Sequence, residues 1–139
     1  MGHDVWLSNN TGNPYSQEHE TLSKFDSDFW KFDWTKYALY DFPALVKEIR
    51  SRNGDKKITT IGHSQGTTQH LAGMALIPEW WDANISNVTL MAPCTSANPF
   101  YFKALYKKEF FDCLERLDVW VVSGPDWDTK GPLVREQCP

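Results

Sequence analysis

Lys57-Ile58-Thr59-Thr60-Ile61-Gly62-His63-Ser64-Gln65-Gly66-Thr67-Thr68 is the stretch that decides the fold. Its first five residues form a short, β-branched apolar run, the pattern of a buried strand in a parallel sheet. Residues 67–76 carry Leu71, Met74, Ala75 and Leu76 without a proline, which predicts a helix. Between them stands Gly62-His63-Ser64-Gln65-Gly66, the G-x-S-x-G pattern of a sharp strand-to-helix turn with serine at its apex. Glycines suit such a turn because a Cβ at either position would bring the turn and the following helix into collision. The serine hydroxyl is then thrust above the sheet edge. The Gln65 N–H opens a helix, where negative charge is favoured. That amide suits the oxyanion of an acyl-transfer intermediate. Ser64 is therefore the candidate catalytic nucleophile and Gln65 the candidate oxyanion donor. The five residues could also form an ordinary surface turn, but the strand before them and the helix after them favour the elbow.

Working outward, residues 5–7 read as a short apolar strand and residues 8–12 as a polar loop. Residues 21–28 are polar and irregular, and residues 29–34 form a dense aromatic block. From Thr35 a helical pattern begins, with Tyr37, Tyr40, Ala44, Leu45, Val46 and Ile49 on one face. Pro43 interrupts it, so the helix proper is expected to start near Phe42 with Asp41 as its N-cap. Asn53-Gly54 is a good left-handed terminator. Pro78 is expected to discourage helix after residue 76. Residues 85–91 form another apolar strand ending at Ala92-Pro93. The order β-α-β-α-β with short links implies an α/β fold around a parallel sheet. After Pro93 the character changes. Residues 100–117 hold aromatics and lysines at helical spacing, residues 118–123 are strand-like, and residues 124–128 are turn-like. The expected organisation is a core over 1–93 and a different unit over 94–139.

The chain's 139 residues are enough for a real core, since a globule of this size buries roughly 68% of its extended surface. Its net charge of −4 and the lack of a basic stripe argue against a nucleic-acid partner. No run of about 18 apolar residues occurs, so no transmembrane segment is expected. Residues 1–4 run straight into the apolar stretch at 5–7 and do not read as a signal peptide. Cys94, Cys113 and Cys138 allow one disulfide and one free thiol, or none. Asn9, Asn84 and Asn87 begin N-x-S/T sequons, which matter only for a secreted chain. No cofactor and no metal enters this reading.

Three stretches together resemble the acid lipases, the α/β-hydrolases that include gastric lipase, lysosomal acid lipase and the steryl ester hydrolases. Gly2-His3-Asp4-Val5-Trp6-Leu7-Ser8-Asn9-Asn10-Thr11-Gly12-Asn13 is similar to the family's G-x-D-V-W-L-x-N-x-R-G-N signature, with Tyr15, Ser16 and His19 following. Phe29-Trp30-x-Phe32-x-Trp34 and Tyr40-Asp41-x-Pro43-Ala44 resemble its F-W-x-F-S-W and Y-D-L-P-A blocks. Gly62 to Thr68 matches its elbow, including His63, Gln65 and the threonine pair. The likeness covers residues 2–93. One departure is Thr11, where the family usually has arginine, which could weaken a salt bridge or a loop conformation.

The resemblance implies an α/β-hydrolase core with helices on both faces of a parallel sheet. It implies a serine carboxylic-ester hydrolase acting on triacylglycerols or steryl esters, with a lipid ester substrate met at a lipid–water interface and a secreted or lysosomal setting. The family's catalytic Asp and His follow a long cap insertion, and its second oxyanion amide precedes the stretch seen here. Only residues 65–139 follow Ser64, so the core reads as incomplete and the chain as a central segment. The alternative is a truncated, catalytically inactive lipase fragment or lipid-binding remnant. Residues 94–139 then read as the beginning of the cap or lid, with Cys138 matching a cap cysteine. A competing reading makes residues 119–128 a strand and turn that present Asp126 or Asp128 as the triad acid. None of His3, His19, His63 and His70 is obviously placed as the general base. His63 should point away from the site, and His70 should lie on an outer or packing face of the elbow helix.

Overall fold

The computed structural model describes residues 2–95, 108–117 and 136. The chain divides into two compact units, one of residues 1–18 and 31–95, the other of residues 19–30 and 96–139.

The first unit holds the sheet. Helix α1 (Trp34–Lys36) is capped by Asp33, whose carboxylate accepts from the Thr35 amide. It runs through a π-helical turn (Tyr37–Asp41) into α2 (Phe42–Arg52). Strand β1 (Ile58–His63), helix α3 (Gln65–Leu76), helix α4 (Pro78–Asn84) and strand β2 (Ile85–Met91) follow. β1 and β2 pair in parallel, with Thr60 opposite Val88 and His63 opposite Met91. Parallel neighbours need a long crossover, and α3 and α4 supply it.

α2 begins at Phe42 with Pro43 in its first turn, as the sequence pattern predicts, although the chain is already helical from Trp34. The wide π turn just before it leaves room for the ring and the missing N–H. Asp41 is itself in helical geometry and makes no capping bond. Its carboxylate is taken by Thr11, whose amide and hydroxyl donate at 2.6 and 3.0 Å. Pro78 likewise opens α4 instead of ending helical structure, a position where its absent N–H costs nothing. The break falls at Ile77 (φ −134°, ψ 56°). Beyond Arg52, Gly54 at φ +73° reverses the chain as the Asn53-Gly54 signal predicts.

The core lies against one face of the strand pair. Phe42 and Val46 of α2, Trp81 of α4 and Ile85 of β2 are buried together, with Ile58, Met74 and Val88 packed around them. Phe42 and Trp81 stack at 5.0 Å. Trp81 reaches this place because residue 73 is glycine. A Cβ there would stand 2.3 Å from the indole nitrogen. The opposite sheet face, carrying Ile61 and Met91, is exposed. The predicted strand at 5–7 is irregular here, and Val5 and Leu7 are exposed. A strand needs a neighbour to satisfy its backbone, and none of the described residues pairs with this one.

The second unit is described at residues 19–30, 108–117 and 136. A short 3-10 turn (Ser27–Trp30) buries Phe29, which meets Trp30 edge-to-face at 4.9 Å. Helix α5 (Lys108–Arg116) has Cys113 and Leu114 buried. Residues 108–116 of the helix expected over 100–117 are therefore helical. The predicted strand at 118–123, the turn with Asp126 and Asp128, and Cys138 lie outside the described residues. Cys94 is a free, exposed thiol, and Cys113 is disulfide-bonded.

Candidate active site

β1 ends at His63 and α3 starts at Gln65, so one residue makes the turn between them. That residue, Ser64, has φ 50° and ψ −117°. An L-residue held there stores about 1–3 kcal/mol and persists only where its surroundings over-determine it. They do. The Ser64 amide donates to the Met91 carbonyl at 3.1 Å, tying the turn to the neighbouring strand. The Ser64 carbonyl accepts from both the Thr67 amide (2.9 Å) and the Thr67 hydroxyl (2.6 Å).

These bonds leave the serine hydroxyl uncommitted. A helix N-cap serine usually turns its oxygen back onto the second or third helical amide. Ser64 caps α3 but makes no side-chain capping bond, because the Thr67 amide is held by the serine's own carbonyl. The residue is exposed. Gln65, also exposed, is the first residue of a 12-residue helix with no acidic side chain in its first turn. Its amide is among those with no intrahelical partner. The end of α3 therefore presents positive partial charge next to a free hydroxyl.

The two glycines differ. A Cβ on Gly62 would lie 2.9 Å from the Gly66 carbonyl oxygen and 3.0 Å from His70 Nδ1. Gly62 is thus required where β1 and α3 approach. A Cβ on Gly66 would meet nothing within 4 Å among the described residues. The collision argument holds for the first glycine and not for the second.

His70 is a packing residue. It is buried on α3, in ring contact with Phe42 and Trp81. Its Nδ1 lies 2.6 Å from the Gly66 carbonyl. A carbonyl only accepts, so Nδ1 carries the proton, and Nε2 is buried without a partner. Burial pushes the imidazole below its ordinary value, opposed by the bond to Gly66. His63 and His3 are exposed. His19 accepts from the Thr21 and Leu22 amides at 3.2 and 3.1 Å. No described histidine bonds to Ser64. Asp126 and Asp128 lie outside the described residues.

The loop of residues 9–13 is bound to the helices. Asn10 and Gln69 exchange amide hydrogen bonds at 3.1 and 3.4 Å, and Gln69 also donates to the Tyr37 carbonyl at 3.1 Å. Thr11 grips Asp41 as described above. Thr11, which stands where the family usually has arginine, thus holds the Asp41 carboxylate through a neutral hydroxyl and an amide. The Asp41 contact is invisible to sequence spacing, because its partners lie 30 residues apart. Among the described residues, no group of three or more His, Cys, Asp or Glu is arranged to hold a metal ion. No described helix is long and apolar enough to cross a membrane.

Comparison with known proteins agrees with this geometry. The profile of the alpha/beta hydrolase fold family matches residues 1–120. A probable lipase of Schizosaccharomyces pombe is 40% identical over 95 residues, which is 68% of this chain and 20% of that protein. Human lysosomal acid lipase/cholesteryl ester hydrolase and human lipase member N are each 41% identical over 78 residues, 56% of this chain and 20% of each relative. The chain thus spans about a fifth of the length of the curated relatives it matches. No solved structure matches it significantly. With a parallel strand pair, a crossover helix and a strained serine where they meet, and with a family match over most of its length, the chain belongs to the alpha/beta hydrolase fold family.

Proposed function

We propose that this chain carries the nucleophile segment of a serine carboxylic-ester hydrolase of the acid lipase type, acting on triacylglycerols or steryl esters. The observation that carries the reading is the uncommitted, exposed hydroxyl of Ser64 at φ 50° on the β1–α3 turn. In this reading Ser64 Oγ attacks the ester carbonyl carbon and its proton passes to a general base. The Gln65 amide takes the developing oxyanion. The tetrahedral intermediate collapses with loss of the alcohol, and water then releases the fatty acid. The names of the relatives support lipid esters as substrates, and the reading takes a lipid–water interface as the place of action. The name lysosomal acid lipase supports a lysosomal setting, with secretion the other setting in this reading. Residues 94–139 are read as the beginning of the cap or lid.

A second reading is favoured by one observation. Acylation needs a base within reach of the Ser64 hydroxyl, and no described histidine bonds to it. On that reading the chain is an inactive remnant that keeps the serine. Replacing Ser64 with Ala tests the first. Hydrolysis of a chromogenic ester should fall to background while the circular dichroism spectrum stays unchanged. Turnover that survives the substitution refutes the assignment of Ser64. A wild-type chain that folds but shows no turnover favours the remnant.

A further inference from the structure

We infer that Thr67 is the positioning residue of the Ser64 turn, and that together with Thr68 it latches the exit of β2 onto the start of α3. The inference rests on the reading of Ser64 as a nucleophile. Two non-glycine residues at positive φ follow the two strands, Ser64 at 50° after β1 and Ala92 at 49° after β2. His63 lies opposite Met91 in the strand register, so the two strained turns leave the sheet side by side. One hydroxyl joins them. Thr67 Oγ1 donates to the Ser64 carbonyl at 2.6 Å and accepts from the Cys94 amide at 2.8 Å. The next residue repeats the grip, with Thr68 Oγ1 donating to the Cys94 carbonyl at 2.7 Å. Both backbone groups of Cys94 are thus held by consecutive threonines of the elbow helix.

The Thr67 side chain is fully buried, so solvent cannot take over its bonds. A hydroxyl offers one proton and two lone pairs, and this one uses its proton on one turn and a lone pair on the other. Valine would fill the same space and serve neither turn. The Ser64 carbonyl would keep the Thr67 amide, so what valine removes is the link between the turns. The backbone angles of Ser64 set the direction of the Cα–Cβ bond that carries Oγ, and a misplacement of about 1 Å at a reacting atom costs on the order of a hundredfold in rate.

The test compares wild type, Thr67→Val, Thr67→Ser and Thr68→Val in the 139-residue chain, with two readouts. The first is the rate of Ser64 modification by a fluorophosphonate. Thr67→Val should slow it by roughly ten- to a hundredfold, Thr67→Ser should restore most of it, and Thr68→Val should slow it less. The second is amide hydrogen exchange at residues 64 and 94. Thr67→Val should speed exchange at Cys94, whose acceptor is gone, and Thr67→Ser should not. Thr67→Val that labels at the wild-type rate and leaves Cys94 exchange unchanged overturns the latch. If the wild-type chain is not labelled at all, the nucleophile reading has failed. The exchange readout then decides the latch alone, because it needs no chemistry at Ser64. Should Thr67→Val not fold, faster Cys94 exchange in Thr68→Val supports the latch and unchanged exchange there overturns it.

Discussion

The two ends of the β1–β2 pair are built on opposite principles. At the N-terminal end, Arg50 of α2 donates to the Ala83 carbonyl and Asn84 Oδ1, and to the Asp55 carbonyl at 2.9 Å, while pairing with the Asp55 carboxylate at 2.8 Å. Those partners immediately precede the two strands, and the Phe42–Trp81 core lies alongside. At the C-terminal end the described residues that leave the strands, Ser64, Gln65 and residues 92–95, are exposed. Ser64 and Ala92 hold positive φ, and Met91 is half exposed. Hydrogen bonds from Thr67 and Thr68 hold that end. In open α/β sheets, ligands bind outside the carboxyl ends of strands. One end of the pair is made for stability and the other for exposure.

The contrast can be broken most severely in the core. Trp81→Ala removes the ring that stacks on Phe42 and fills the space over Gly73, and should cost about 3–5 kcal/mol in denaturant unfolding. A loss below about 1 kcal/mol would mean the N-terminal end is not where the stability lies. Arg50→Ala comes next. It strips partners from the Asn84 side chain and the Asp55 carbonyl, and should cost about 1–3 kcal/mol, consistent with a hydrogen-bonded charged group that is mostly buried. The same change should leave Ser64 reactivity per folded molecule unaltered.

His70 links the two ends through acidity. Burial disfavours its charged form, so its folded value lies below its ordinary one. As pH falls through about 6.5, unfolded chains bind a proton that folded chains refuse. Stability therefore falls on acidification, until the folded ring itself protonates. Above that window the contribution is fully present. His70→Gln should give a shallower decline between pH 7 and 5, measured as unfolding midpoints at each pH. An unchanged slope would mean that His70 does not carry it. The smallest expected effect is at the elbow. Ser64→Gly relieves an L-residue at φ 50° and should stabilise the chain by about 1 kcal/mol while removing the hydroxyl. A destabilised Ser64→Gly chain would argue that no strain is stored there.

Much of the site was legible in the sequence because its signal is local. Gly62, Ser64 and Gln65 lie within four residues of one another, with a β-branched run before them and a proline-free, partly apolar stretch after them. β2 falls at the residues its apolar run marks, and His70 lies on a packing face. What was not legible depends on partners distant in the chain. Asp41 looks like a cap until Thr11 reaches it from 30 residues upstream. Pro78 looks like a stop until α4 is found to start there, since proline ends one helix and opens another with equal ease. Residues 5–7 have strand composition, but strand formation depends on a neighbour. Thr67 matched a familiar elbow pattern, yet nothing in that pattern says its hydroxyl spans to Cys94. The hint available was a β-branched hydroxyl in the first turn of a helix whose N-cap serine must keep its own oxygen free.

The central claim is that Ser64 presents a reactive hydroxyl at the turn between β1 and α3. Treating the folded chain with a fluorophosphonate and mapping the adduct by peptide mass spectrometry tests it most directly. A single modified residue, Ser64, is expected, with no adduct after unfolding in denaturant. A folded chain that stays unmodified, or that takes the label on another serine, contradicts it.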